Sequence, residues 1–191
     1  MAKREQTKRG ARHWISTALQ LVAILLIVLL LRTFVIGTIY VKGSSMEPNF
    51  HHGDFLIVNK LETLVSAPER GDVVICALEE GAYGGENIIK RVIGLPGDEI
   101  DLRLQEDGTY RTYINAEAQT EPYIAEEMMD GGDISYPFVV PEGCYFVMGD
   151  NRNASTDSRR LSIGSIAKED IMGKVVPVSY THLTLPTILR V

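Results

Sequence analysis

Ile88-Ile89-Lys90-Arg91-Val92-Ile93, followed by Gly94-Leu95-Pro96-Gly97-Asp98, is an apolar run of strand length closed by a turn. Branched side chains suit a pleated strand and glycine with proline punctuates its end, so the stretch reads as a buried strand and a sharp reversal. The glycines do not make a phosphate-binding loop, because the Lys-Ser/Thr pair and helix of that motif do not follow. The oddity is Lys90, set among Ile88, Ile89, Val92 and Ile93. An isolated strand lysine ordinarily carries its ammonium out to water along its own stem. One held inside apolar surroundings is desolvated instead and gives up its proton more readily.

Similar runs flank it on both sides. Residues 38–41, 54–59, 72–76, 99–104, 111–115 and 145–148 have strand character, separated by Glu79-Glu80-Gly81, Gly84-Gly85, Asp107-Gly108 and Asp130-Gly131-Gly132, which have turn chemistry. No sustained helical period, internal repeat or heptad appears between residues 37 and 177, and this part reads as one compact all-β domain. Residues 117–137, acidic and interrupted by Pro122, read as a surface excursion from the sheet.

The chain opens differently. Residues 1–13 carry Lys3, Arg4, Lys8, Arg9 and Arg12 against Glu5, a net of +4, while the whole chain carries −6. Leu21 to Leu31 is unbroken apolar, and Ile15 to Leu31 as a helix spans roughly 25 Å against an approximately 30 Å hydrocarbon core. A cleavable leader shares this basic-then-apolar layout. Here Arg32-Thr33-Phe34-Val35-Ile36 follow without a small-x-small cleavage pattern, so residues 14–36 read as a retained transmembrane anchor. The basic end then belongs in the cytosol and the acidic remainder outside the cell membrane, with the lipid bilayer as a partner. An acidic domain without clustered Lys and Arg is unsuited to nucleic acid.

Two other features bound the reading. Cys76 and Cys144 each sit in a strand-like apolar run and read as two buried thiols rather than a bridge. Residues 178–191, beginning Val-Ser-Tyr-Thr-His-Leu-Thr-Leu-Pro-Thr, look like a translated sequencing adapter and are set aside from fold reasoning.

The chemistry centres on Gly43-Ser44-Ser45-Met46-Glu47-Pro48, just beyond the anchor. A serine hydroxyl needs a neighbouring base, and the chain offers few. His13 falls on the basic side, His182 lies in the set-aside tail, and His51 and His52 follow the motif so closely that a Ser-His-Asp triad is weakly supported. Lys90 is the stronger base. With an ordinary pKa near 10.4, about one lysine in 2,500 is neutral at pH 7, so the value has to fall by about three, worth about 4 kcal/mol. Burial produces changes of that order. The residues alone do not separate Ser44 from Ser45. Arg152 in Asp150-Asn151-Arg152-Asn153 breaks a calcium-loop pattern, and Cys76, Cys144, His51 and His52 lack zinc spacing, so neither metal nor cofactor is expected.

Three segments in order after an anchor carry a resemblance: Ser45-Met46-Glu47-Pro48; Lys90-Arg91-Val92 with Gly94, Pro96, Gly97 and Asp98; and Gly149-Asp150-Asn151-Arg152-Asn153-Ala154-Ser155-Thr156-Asp157-Ser158-Arg159. With Arg70-Gly71-Asp72-Val73-Val74, they resemble type I signal peptidases, most closely those of Gram-positive bacteria. The resemblance implies a serine endopeptidase that removes signal peptides from secretory preproteins carrying small residues at positions −1 and −3. It selects Ser45 over Ser44 as nucleophile, with Lys90 as general base and an acyl-enzyme intermediate. It gives Met46 a role in fixing the turn and the Ser45 N–H a role in the oxyanion hole. Gly43 stands where some relatives have a donor serine, so that a backbone amide replaces it or the hole is weaker. Ser155 is expected to orient the lysine amine, and Asp157 with Arg159 to form an ion pair beneath the site. Strands near residues 39–41 and 88–89 are expected to border the bound peptide.

Overall fold

The computed structural model describes residues 2–78 and 87–176. The turns Glu79-Glu80-Gly81 and Gly84-Gly85, and the set-aside segment 178–191, lie outside the described residues. Helix α1 spans Ala2–Phe34, and its Ser16–Thr33 segment has a mean hydropathy of 2.1 with none of it buried against protein. A helix apolar on every side, unburied and of this length, has the form of a membrane span. It ends two residues earlier than the sequence suggests, because Ile36 already begins strand β1 (Ile36–Tyr40).

The remainder is mostly β. In chain order come β2 (Phe55–Asn59), the short helix α2 (Lys60–Val65), β3 (Val73–Cys76), β4 (Ile88–Gly94), β5 (Glu99–Leu104), β6 (Tyr110–Ile114), β7 (Glu117–Ala118), β8 (Phe138–Val139), β9 (Cys144–Met148), β10 (Ile166–Ala167) and β11 (Ile171–Val176). A seven-stranded sheet runs β1-β2-β11-β3-β4-β9-β10 and a four-stranded one β7-β6-β5-β8, antiparallel throughout.

Side-chain alternation explains the layering. Along β3, Val73 and Ile75 join one core with Val41, Met46, Leu56, Val58, Ile89 and Val175, while Val74 and Cys76 face the other way with Val92, Tyr145 and Val147. All four β3 residues are therefore buried. A third core lies between the sheets, where Ile93, Phe146 and Met148 meet Ile100, Leu102 and Ile114. Gly94 makes that approach close: a Cβ there would sit 2.7 Å from Ile100 Cδ1. Pairing slips between Val92 and Gly94, so a bulge bends β4 just past Lys90 and Arg91.

Four strands and one helix extend beyond the sequence reading. The most consequential is β11, which fills the middle of the large sheet between β2 and β3. Its Ile171-Met172-Gly173-Lys174-Val175-Val176 has a glycine and a lysine where a strand pattern expects apolar side chains. The reason lies across the sheet: a Cβ on Gly173 would come 2.5 Å from Val58 Cγ1, so glycine lets the two strands pack closely. Lys174 reaches Glu62 at 3.0 Å and Asp72 at 2.8 Å. The excursion over residues 117–137 is not merely surface either. Met128 is buried in the inter-sheet core, and its carbonyl accepts from the Tyr110 N–H at 2.7 Å. Both cysteines are free, but Cys144 is only half-buried rather than buried.

Gly173→Val should lower stability by about 1–3 kcal/mol through overpacking against Val58. The check is a fall in the urea midpoint at unchanged slope, measured on the detergent-solubilised chain.

Candidate active site

The turn carrying Ser45 is tied down on two sides. Gly43 turns the chain at a φ of +86°, a conformation glycine adopts without steric cost. Glu47 N–H then donates to the Ser44 carbonyl at 3.1 Å, and Asn49 and Phe50 N–H groups donate to the Met46 carbonyl at 3.0 Å. Met46, only 1% exposed, plugs the turn into the core formed by Val41, Leu56, Ile75 and Ile89. From the other side Asn151 donates its backbone N–H to the Ser45 carbonyl at 3.0 Å and its side-chain amide to the Ser44 carbonyl at 3.2 Å. Asn49 Nδ2 adds a bond to Asp150 Oδ2 at 2.9 Å. Gly149 is required here, since a Cβ would collide with Ser155 Oγ and the Ser45 carbonyl oxygen.

Lys90 comes to this turn from β4. It stands opposite Val74 in the register, is 3% exposed, and places Nζ 2.8 Å from Ser45 Oγ. Its other bond is a donation to the Ile89 carbonyl at 3.0 Å. Among the described residues no carboxylate lies within ion-pairing distance of it. Burial lowers the Lys90 pKa from its ordinary value, with the Asp157 charge the main opposing influence. The neighbouring Cys76 thiol is pushed up to about 12 by burial, so it is a protonated, unreactive filler of the core.

Beneath Ser45 and Lys90, Asp157 is fully buried and bound on all sides. Arg159 Nε and Nη2 donate to it at 2.8 and 2.9 Å, Gly149 N–H at 3.0 Å, and Ser155 Oγ at 2.6 Å. Burial alone would raise its pKa, but the Arg159 hydrogen bond and charge, with Ser155 and Gly149, outweigh that and hold the carboxyl below its ordinary range. The expected Asp157–Arg159 pair is thus present. Ser155 differs from expectation: its hydroxyl donates to Asp157 and makes no bond to Lys90. A strong acceptor two residues along the chain captures it.

Two further ion pairs escaped sequence reading. Arg91 grips Asp150 through Nε at 2.7 Å and Nη2 at 2.6 Å, and its guanidinium lies 4.3 Å from the centre of the Tyr123 ring. Arg152 is bound by Glu121 at 2.7 and 2.9 Å. The signal was partly visible, because Arg91 follows Lys90 directly and Arg152 sits in the third segment. Their partners lie 59 and 31 residues away and no local pattern names them.

The other sequence candidates are placed as follows. The Ser45 N–H has no acceptor among the described residues and is free to donate. The Gly43 N–H is not, since it already donates to His52 Nδ1 at 3.1 Å. His51 lies beside Asp54 and neither histidine bonds Ser45. Ser45 and Lys90 open on a cavity of about 590 Å³ walled by Thr38, Ile39 and Val41 on one side and by Ile88 and Ile89 on the other. β1 and β4 are not neighbours in the sheet, so its curl is what brings them to face one cleft. Among the described residues β1 is also an edge strand, with no strand paired on its outer side.

An apolar N-terminal helix, two packed antiparallel sheets, and a serine hydroxyl held against a buried amine define a hydrolase-like site. The family model and the sequence relatives agree. Residues 13–180 match the family model described as signal peptidase, peptidase S26. Signal peptidase I of Bacillus licheniformis is 36% identical over 179 residues, covering 90% of this chain and 89% of the relative. Signal peptidase I T of Bacillus subtilis is 36% identical over 183 residues, covering 90% of each. A crystal structure of a signal peptidase I from Enterococcus faecalis superposes with a TM-score of 0.46 at 29% identity, covering 59% of this chain and 99% of that one. The chain belongs to the signal peptidase family, peptidase S26. It is a serine endopeptidase of the class that removes signal peptides.

Asp157→Ala should cost about 3–5 kcal/mol, because it leaves the Arg159 guanidinium buried without its counter-charge. The pH sign follows from the lowered Asp157 pKa. Its contribution is complete above the ordinary value of 3.8 and is lost as pH falls through the lower folded value, which acid unfolding of parent against variant measures.

Proposed function

We propose that Ser45 is the nucleophile and Lys90 the general base of a signal peptidase that cuts secretory preproteins at the membrane surface. The observation that carries the reading is the 2.8 Å separation of the buried Lys90 amine from Ser45 Oγ. Neutral Lys90 takes the Ser45 proton as Oγ attacks the scissile carbonyl, then returns it to the leaving amine. Water, deprotonated by the same amine, hydrolyses the acyl-enzyme. The unbonded Ser45 N–H supplies one donor for the oxyanion. Because Gly43 N–H is occupied by His52, that position supplies no second donor in this arrangement.

The supporting residues act through these two. Met46 and Gly43 hold the turn, Ser155 orders the Asp157 carboxylate, and Asp157 with Arg159 forms a rigid polar floor. The preprotein lies extended in the cleft between β1 and β4, adding its backbone to the free edge. Packing against Ile39, Ile88 and Ile89 favours small side chains at positions −1 and −3. Residues 14–34 cross the cell membrane once with the basic residues 1–13 in the cytosol, and the domain from residue 37 works outside the membrane. A substrate anchored in the same bilayer is concentrated at the site.

The test is cleavage of a preprotein with an Ala-x-Ala site by detergent-solubilised parent and variants, each checked for folding. Ser45→Ala should remove activity by roughly 10⁶-fold and Lys90→Met by at least about 10²–10⁴-fold. Cleavage by either variant at the parent rate would overturn the dyad. The parent rate should climb with pH as Lys90 loses its proton, with an inflection below the ordinary 10.5, whereas Lys90→Arg stays inactive throughout because its guanidinium keeps its proton. Lys90→Met should be at least as stable as the parent at neutral pH. A lysine whose folded pKa is lowered weakens the fold wherever the unfolded chain is protonated, and this penalty disappears only as pH rises toward 10.5.

A further inference from the structure

A second recess lies where α1 meets the domain, sharing only Thr38 with the lining of the Ser45 cleft. It has a volume of about 420 Å³ and is lined by Val28, Leu31, Arg32, Gly37, Thr38 and Lys60. Val28 and Leu31 fall inside the apolar segment Ser16–Thr33, whereas Gly37, Thr38 and Lys60 lie beyond it. The recess therefore straddles the depth at which hydrocarbon gives way to headgroups. Its geometry is tied to the fold: the Lys60 N–H donates to the Val35 carbonyl at 2.9 Å. The Lys60 stem also lies over Gly37, where a Cβ would come 3.0 Å from its Cε.

Neither Arg32 nor Lys60 has an ion-pair partner among the described residues. Glu62, the acidic residue of α2, is taken up by Lys174 at 3.0 Å and by Asn59 at 3.1 Å. Two cations, unpaired among the described residues, beside two aliphatic side chains fit a molecule with a net negative head and an apolar tail. A zwitterionic lipid would bring its own ammonium to the cations and gain less.

We propose that this recess binds one anionic phospholipid, its phosphate between Arg32 and Lys60 and an acyl chain along Val28 and Leu31. The inference rests on α1 being a membrane span and is independent of the dyad. The full chain would be reconstituted in bilayers of mixed phosphatidylcholine and phosphatidylglycerol, and the lipid retained on extraction identified by native mass spectrometry. Preferential retention of one phosphatidylglycerol is expected, falling about fivefold in Arg32→Gln and in Lys60→Gln. Lys168→Gln, a distant exposed cation, should leave it unchanged.

Equal retention of the two lipids, or equal loss in the Lys168→Gln control, would overturn the proposal. Inorganic phosphate displacing the lipid from the parent would show that the headgroup alone is recognised and remove the acyl-chain part. Displacement by a synthetic signal peptide would reassign the recess to the substrate. Release of the chain from membranes by alkaline carbonate would overturn the anchor reading as well, whereas retention without lipid preference overturns only the site.

Discussion

Placing the Lys90 amine out of water beside Ser45, with no carboxylate among the described residues to neutralise it, is the constraint around which the domain is arranged. A buried lysine is tolerated as a neutral amine far more easily than as an ammonium, so the cost of burial is also what favours the neutral form. An adjacent carboxylate would remove that bias. The acidic groups nearby are all committed elsewhere: Asp157 to Arg159, Ser155 and Gly149, and Asp150 to Arg91 and Asn49. The arginines hold both acids in ion pairs while the amine faces the hydroxyl.

Those same pairs hold the geometry. Gly149, Asp150 and Asn151 lie at the end of β9, directly beside Arg91 of β4, and Asn151 bonds to the Ser45 turn through backbone and side chain. Met46 secures the turn from the opposite side in the β1–β2–β3 core. A serine on a loop is thus as well positioned as one on a strand, because each neighbour of Ser45 is either buried or hydrogen-bonded. The cleft in front of it depends on the curl of the large sheet, for which β11 is essential: it joins β2 to β3 and so sets how far β1 stands from β4.

Strands with continuous apolar character, such as β3, β4 and β9, were legible in the sequence within a residue or two, since both faces of each are covered. β11 was not, because its glycine and lysine make sense only against Val58, Glu62 and Asp72, residues more than a hundred positions away. Ser45 and Lys90 were legible from their segments and order, and the Asp157–Arg159 pair from its short spacing. Ser155 was misplaced in its partner, and Glu121, Arg91 and Asp150 went unassigned. A side chain's hydrogen-bond partner is chosen by distance in space, and two acceptors within reach cannot be ranked from a linear pattern.

By itself the sequence determined the apolar span, the mostly β class, the candidate nucleophile and the unusual lysine, because these follow from local hydrophobicity, turn chemistry and residue type. Tertiary structure alone decided that the amine lies 2.8 Å from the hydroxyl, that Gly43 N–H is taken by His52, and that β1 and β4 wall one cleft. Each of these depends on how a twisted sheet closes on itself. That closure is a sum over many long-range contacts, and no short stretch of the chain encodes it.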